Sequence, residues 1–490
     1  FTGRGDIYSA PVKDGPTRNL TRTDGVFERD ASWSPDGRWI AYFADATGEY
    51  ELYLRPSDAR AAERKAEEGE NKDDAAPEQP AVSEVPQEAI KISDLGEGFR
   101  FNPQWSPDSK KIVFFDQLGS IMLAEMTFDA ASGRLSASEV RKIDQDPWEQ
   151  GAEVTWSHES NWLVYTRMDE GLAKTALWIY NVADKSQTRL TDPYFAASSP
   201  AFDRKGEFLY YVSGREFSSP KYADFDTTFI YAGTDRIMMT PLRKDVKSPL
   251  APKSDEEEIK PAKGGDKKNG DDKAKEKGRD KADGDKPLVI EVSDFESRSR
   301  QLPIAAGNYR NLAVNESGKL LYVAAPTRGV DGKPAIRIFD ATDDKKEEQT
   351  VAEGVGGFLM NAGGDKLLIQ RNDRWQVIDA AAGGADKKPQ EVSTGGMKAT
   401  IDPRAEWKQL FNDAWRIQRD YFYVKNMHGV DWPGIRDQYA AMLDDASSRE
   451  DVTYIIAEMI SQLNIGHAYI TSPGEIDQAA SVPVGMLAWR

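Results

Sequence analysis

The sequence predicts a mainly β chain: a seven-bladed β-propeller, incomplete at its N-terminal end, followed by a small helical or α+β domain. Three observations predict it. A hairpin pattern of apolar residue, four-residue polar turn and apolar strand recurs six times. Successive copies come as close as 46 residues, the length of a four-stranded propeller blade. Near residue 400 the apolar period changes from 2 to 3.6, which marks a different domain.

The copies begin at Ser32 ("SWSPDGRWIAYF"), Gln104 ("QWSPDSKKIVFF"), Thr155 ("TWSHESNWLVYT"), Ala201 ("AFDRKGEFLYYV"), Ala313 ("AVNESGKLLYVA") and Leu359 ("LMNAGGDKLLIQ"). Ser34-Pro35-Asp36-Gly37 carries type I turn chemistry, with Ser at the first position, Pro presetting φ at the second and Gly at the fourth. The flanking runs are rich in β-branched and aromatic residues, so each copy reads as a hairpin. A third strand follows in "ELYLR" (Glu51 to Arg55), "ALWIYNV" (Ala176 to Val182) and "AIRIFDA" (Ala335 to Ala341). Ahead of the first copy, "GDIYSAPV" and "TRNLT" read as outer strands of an earlier blade. These turns are architecture and receive no function.

Two intervals are longer than one blade and hold charged insertions, near 58–88 and 245–287. Ala251 to Pro287 has 11 Lys/Arg against 11 Asp/Glu and almost no apolar residues, so disorder is expected there. The expected organisation is a propeller over 1–395, a helical domain over 399–472, and a linker with the start of a further domain over 473–490.

Composition narrows the chemistry. The formal net charge is −18, and no Lys/Arg stripe is interleaved with aromatics, so neither nucleic acid nor an anionic membrane is an expected partner. No run approaches the roughly 18 apolar residues of a membrane helix, and no signal peptide is visible. With no cysteine, disulfides, thiolate metal sites and a cysteine nucleophile are excluded. The sequence has no Gly-x-Ser-x-Gly elbow, P-loop, dinucleotide fingerprint or His-Glu-x-x-His. No cofactor and no metal ligand are expected.

The second domain reads as three helices. Asp402-Pro403 is an N-cap followed by Pro at the first helical position, and Trp407, Leu410, Phe411, Ala414, Trp415 and Phe422 fall on one face. Asp431 caps a second helix with Ile435, Tyr439 and Met442 inward. Ser448 with Asp451 forms a capping box before a third, with Val452, Ile455, Ile456, Met459, Ile460 and Leu463 inward. Such a bundle is too small to stand comfortably without a neighbour. Asn464 and Gly466 suit a left-handed helix end, and "HAYIT" (His467 to Thr471) reads as a strand. Of the three histidines, His158 lies in a blade turn and reads as solvated, and His428 lies in an interhelical turn and reads as structural. His467, at the helix–strand junction, is by its own context more often structural than catalytic.

The stretch "AEWKQLFNDAWRIQRDYFYVKNMHGVDWPGIRDQY", followed by "IIAEMISQLNIGHAYI", resembles the first core domain of the tricorn proteases, serine peptidases related to the C-terminal processing peptidases. "GPTRNLTRTDGVFERDASWSPDGRWIAYFADATGEYELYL" is similar to that family's seven-bladed propeller. The resemblance implies hydrolysis of oligopeptides, with the propeller channelling peptides and His467 as general base. It places the nucleophilic Ser and the family's Glu in a second core domain after a PDZ domain, outside these residues, so that this chain alone is expected to be nearly inactive. It also implies a cytoplasmic homo-oligomer, a hexamer in the archaeal enzyme, although some relatives are exported. The archaeal enzyme has a Ser immediately before its His, where this sequence has Gly466. The alternative is a non-catalytic propeller module that binds peptides or proteins.

Overall fold

The computed structural model describes residues 1–57, 89–129, 135–217, 220–223, 229–251, 288–327 and 331–471. Both charged insertions, apart from residues 245–251 at the edge of the second, and the expected start of a further domain after residue 472 lie outside the described residues. Residues 245–251 form turns, and Val246 and Leu250 pack against an apolar cluster built on Tyr210, Met239 and Tyr322.

The fold is a seven-bladed β-propeller with a helical C-terminal domain. Among the described residues seven propeller sheets run in chain order, each with its strands in antiparallel pairs. The first holds three strands, Thr2–Gly3, Asp6–Ser9 and Arg18–Asn19, and the other six hold four each. The second is typical: Glu28–Trp33, Trp39–Ala44, Glu51–Pro56 and Ile90–Lys91. A separate hairpin, Pro220–Ala223 with Phe229–Tyr231, interrupts the fifth sheet between its second and third strands.

The six repeated turns share one conformation. Their fourth residues, Gly37, Ser109, Ser160, Gly206, Gly318 and Gly364, all have φ between 59° and 78°. Glycine takes this left-handed region freely, whereas serine pays on the order of 1 kcal/mol. The first residue of each turn offsets that cost through hydrogen bonds. Ser34 Oγ accepts from Trp39 N at 3.0 Å, and Asn361 Oδ1 accepts from the amides of Gly364, Asp365 and Lys366.

A second repeated feature was not read from the sequence. The first strands of four sheets each carry a bulge, at Asp30, Asn102, Ser199 and Asn311, all with φ between 49° and 56°. Three of the bulge side chains cap amides of the next sheet. Asp30 Oδ2 accepts from Asn102 N at 3.1 Å, Ser199 Oγ from Asn311 N at 3.2 Å, and Asn311 Oδ1 from Phe358 N at 2.9 Å. Asp and Asn tolerate this backbone best, so polar residues suit it twice over.

The described residues fall into two compact units, 152–391 and the remainder. Within the first of these, apolar strand faces interleave between neighbouring sheets, as in the cluster of Tyr210, Ile237, Leu320, Tyr322 and Phe339. Within the other, Phe43, Leu52, Leu54, Ile112 and Phe114 join the second and third sheets.

The last strand ends at Val392, and three helices follow: α1 (Pro403–Tyr421), α2 (Trp432–Ala440) and α3 (Arg449–Ser461). All three caps form as read. Asp402 accepts from the amides of Arg404 and Ala405, Asp431 from Gly434, and Ser448 and Asp451 complete the capping box. The helices close on one apolar cluster of Trp407, Phe411, Trp415, Trp432, Tyr439 and Met459, among others.

Two expectations are corrected here. Met442 is 43% exposed, and Leu443 takes its place at 5%. After Ala440 the chain tightens into a 3₁₀ helix, Ala441–Asp445, whose three residues per turn rotate the next apolar side chain inward. "HAYIT" forms no strand: residues 466–467 are a turn and 468–471 have no ladder partner among the described residues. A strand exists only through its pairing, and alternation alone does not supply a partner.

Candidate functional site

The position of His467 follows from the end of α3. The apolar face of that helix, Val452, Ile455, Ile456 and Met459, is driven into the cluster, and Leu463 is fully buried one turn later. Asn464 then takes φ 50°, ending the helix as expected. The second left-handed residue is not Gly466 but His467 itself, with φ 60°. Histidine, like Asn and Asp, is among the residues that take this conformation most readily, and the turns and bulges of this chain take it too.

His467 is exposed. Its Nδ1 lies 3.3 Å from the Tyr469 hydroxyl, and the two rings meet edge to face with centroids 6.2 Å apart. Among the described residues no Ser, Thr or carboxylate is hydrogen-bonded to it. A Cβ built on Gly466 meets nothing within 4 Å, so the position before the histidine is sterically open. His158 is exposed in its blade turn, as read. His428 lies in the short 3₁₀ segment Met427–Gly429 between α1 and α2. Its Nδ1 is 3.0 Å from the Leu463 carbonyl and its Nε2 is 2.6 Å from the Tyr423 hydroxyl.

The helices are fastened to the first sheets by a charged stripe on α1. Arg416 is 3% exposed and reaches Asp45, in the turn after strand Trp39–Ala44, at 2.5 Å. Asp45 also accepts from Gln409 at 3.2 Å and from the Phe27 amide at 2.7 Å. Asp413 bridges Arg416 and the Tyr50 hydroxyl, each at 3.1 Å. Arg419 forks onto Glu49 at 2.6 and 2.8 Å. Burial raises the Asp413 carboxyl, with Arg416 opposing that shift. Sequence reasoning missed this network, although a signal was present: Gln409, Asp413, Arg416 and Asp420 recur at intervals of four, three and four, a polar stripe at helical spacing.

A cavity of about 230 Å³ opens between the Asp24–Phe27 turn and the start of α1. Arg4 pairs with Glu406 beside it at 2.8 Å, and Leu410 lines its apolar side. Among the described residues no group of three or more His, Asp or Glu side chains could hold a metal ion. Among them, too, no helix is long and apolar enough to cross a membrane.

Comparison with known proteins agrees with this architecture. Residues 71–381 match the tricorn protease second beta propeller domain, and residues 403–461 match the tricorn protease C1 domain. The chain is 25% identical over 489 residues to tricorn protease homolog 1 of Streptomyces coelicolor, covering 96% of this chain and 41% of that protein. It is 22% identical over 492 residues to the tricorn protease homolog of Saccharolobus solfataricus, covering 96% of this chain and 38% of that one. The crystal structure of the tricorn protease superposes with a TM-score of 0.70 at 16% identity, over 96% of this chain and 40% of that one. The chain thus spans about two fifths of the length of these relatives. With the propeller match alone extending over more than half of its residues, the chain belongs to the tricorn protease family.

Proposed function

We propose that this chain is part of a tricorn-like serine peptidase that hydrolyses oligopeptides, and that His467 is its general base. The observation that carries the reading is an exposed, left-handed histidine six residues beyond the matched C1 segment, on a helix end anchored by buried Leu463. In this reading the nucleophilic Ser comes from sequence outside these 490 residues. His467 takes the hydroxyl proton as the oxygen attacks the peptide carbonyl, then gives it to the departing amine. The productive tautomer has Nδ1–H donated to the Tyr469 oxygen, which leaves the Nε2 lone pair as the base. Gly466 supplies no hydroxyl for a relay, but its open surroundings would admit a Ser.

The same reading divides the chain into a propeller over 1–395, a core domain over 399–472 and the approach to a PDZ-like domain over 473–490. It makes the propeller a peptide conduit and the whole enzyme a cytoplasmic homo-oligomer, a hexamer by resemblance. The test is His467→Ala in the complete enzyme, assayed on oligopeptides. The expected loss in kcat is on the order of 10⁶, as for the equivalent residue of subtilisin, with an unchanged melting temperature. Activity above a tenth of wild type would remove His467 from the chemistry and favour a non-catalytic peptide-binding module.

A further inference from the structure

We infer that His428 is a positioning residue, held as the Nδ1–H tautomer between Leu463 and Tyr423, which fixes where the segment bearing His467 leaves its helix. A carbonyl oxygen only accepts, so the Nδ1 atom 3.0 Å from Leu463 O is the donor. In the neutral ring Nε2 is then the acceptor, and the Tyr423 hydroxyl donates to it at 2.6 Å. The ring is also held sideways, with Phe422 edge-on at 5.2 Å.

The carbonyl it holds lies two residues beyond the last residue of α3 and four before His467, where the chain has left the helix. Beyond that point residues 465–471 have no ladder partner among the described residues. Their anchors are buried Leu463, part-buried Ile465 and the bond to His428. The backbone at His428 points the same way. Met427 and His428 are consecutive left-handed residues, with φ 50° and 56°. Neither is glycine, and such strain persists where surrounding contacts over-determine it.

The consequence for catalysis rests on the reading of His467 given above, whereas the tautomer and the anchoring do not. With three histidines in the chain, imidazole ¹⁵N spectra of the selectively labelled protein resolve each ring. The expected result is a neutral His428 protonated on Nδ1, the less common form of free imidazole. His428→Asn places its amide nitrogen where Nδ1 lies and should keep exchange of the Asn464 amide within about twofold of wild type. His428→Gln places its nitrogen at Nε2 and should speed that exchange roughly fivefold to tenfold, the factor for one ordinary hydrogen bond. In the complete enzyme, His428→Gln should lower kcat by about tenfold or more with little change in KM, because small displacements of a catalytic group are costly, and His428→Asn should restore it. A proton on Nε2 of neutral His428, or equal behaviour of the two variants, overturns the inference. If the tautomer and exchange results hold while His467→Ala leaves activity intact, the positioning role stands and the functional reading fails.

Discussion

Replacing Asp45 by alanine removes the acceptor on which α1 is hung. Arg416 and Asp45 are 3% and 4% exposed at their side chains, so this is a buried pair and not a surface one. Exposed pairs contribute about 0.2–1 kcal/mol, whereas removing one member of a buried pair costs about 3–5 kcal/mol, because the other charge is left desolvated. Here Asp413 still reaches Arg416 at 3.1 Å, which places the expected loss at the lower end, about 3 kcal/mol. In a compact unit of this size that corresponds to a fall in melting temperature of roughly 6–12 °C. Urea unfolding is followed by tryptophan emission, to which Trp407, Trp415 and Trp432 in the core of the helical domain contribute, alongside far-UV circular dichroism for the loss of helix. The double substitution Asp45→Leu with Arg416→Met leaves no unpaired guanidinium and should recover part of the loss, though not all of it, because Gln409 and the Phe27 amide lose their acceptor and Asp413 its cation. A loss below about 1 kcal/mol for Asp45→Ala, or a double variant as unstable as the single one, would refute the reasoning.

Three further outcomes follow from the same structure. Glu28 is 2% exposed, and burial pushes its carboxyl up to about 7, against hydrogen bonds from Thr21 and Thr23 and the charge of Arg55. Its stabilising contribution is therefore complete below its ordinary value of 4.5 and is lost as the pH rises through about 7. Glu28→Gln, which keeps the acceptor for Thr23, should remove that slope and gain about 3 kcal/mol at pH 8, measured by urea midpoints across pH. Leu443→Ala should cost about 2–5 kcal/mol and Met442→Ala less than about 0.5 kcal/mol in the same assay, the reverse of what an uninterrupted α-helix would give. Ser448→Ala breaks the capping box at α3 and should cost about 1 kcal/mol, read as a lower thermal midpoint.

Much of the fold was legible because its causes are local. A Ser, Asp or Asn five residues before a strand closes its turn through its own side chain, as Ser34 and Asn361 do. Asp402, Asp431 and Ser448 cap their helices from within a single turn of chain. The bulges in the first strands of the sheets were less legible. Asp30, Asn102, Ser199 and Asn311 share no motif, and their left-handed backbone is sustained by acceptors and amides on neighbouring sheets. For the candidate site, the sequence located His467 and the helix end before it, yet Gly466 drew the left-handed assignment that His467 takes. Glycine is the usual occupant of that conformation, and nothing in the local pattern says otherwise.

By itself, then, the sequence determined the repeat, the blade hairpins, the caps and the apolar faces of the helices, all of which depend on contacts within a few residues. The tertiary structure decided which polar groups became buried. Gln409 and Arg416 are buried because Asp45 and Gly48, in a strand turn more than 360 positions away, supply the acceptors that water would otherwise provide. It also decided that His428 and Leu463, 35 residues apart, would share a hydrogen bond. A desolvated polar side chain is stable only with its partner in place, and partners at such separations are set by the closed fold and not by any stretch of chain that can be read in isolation.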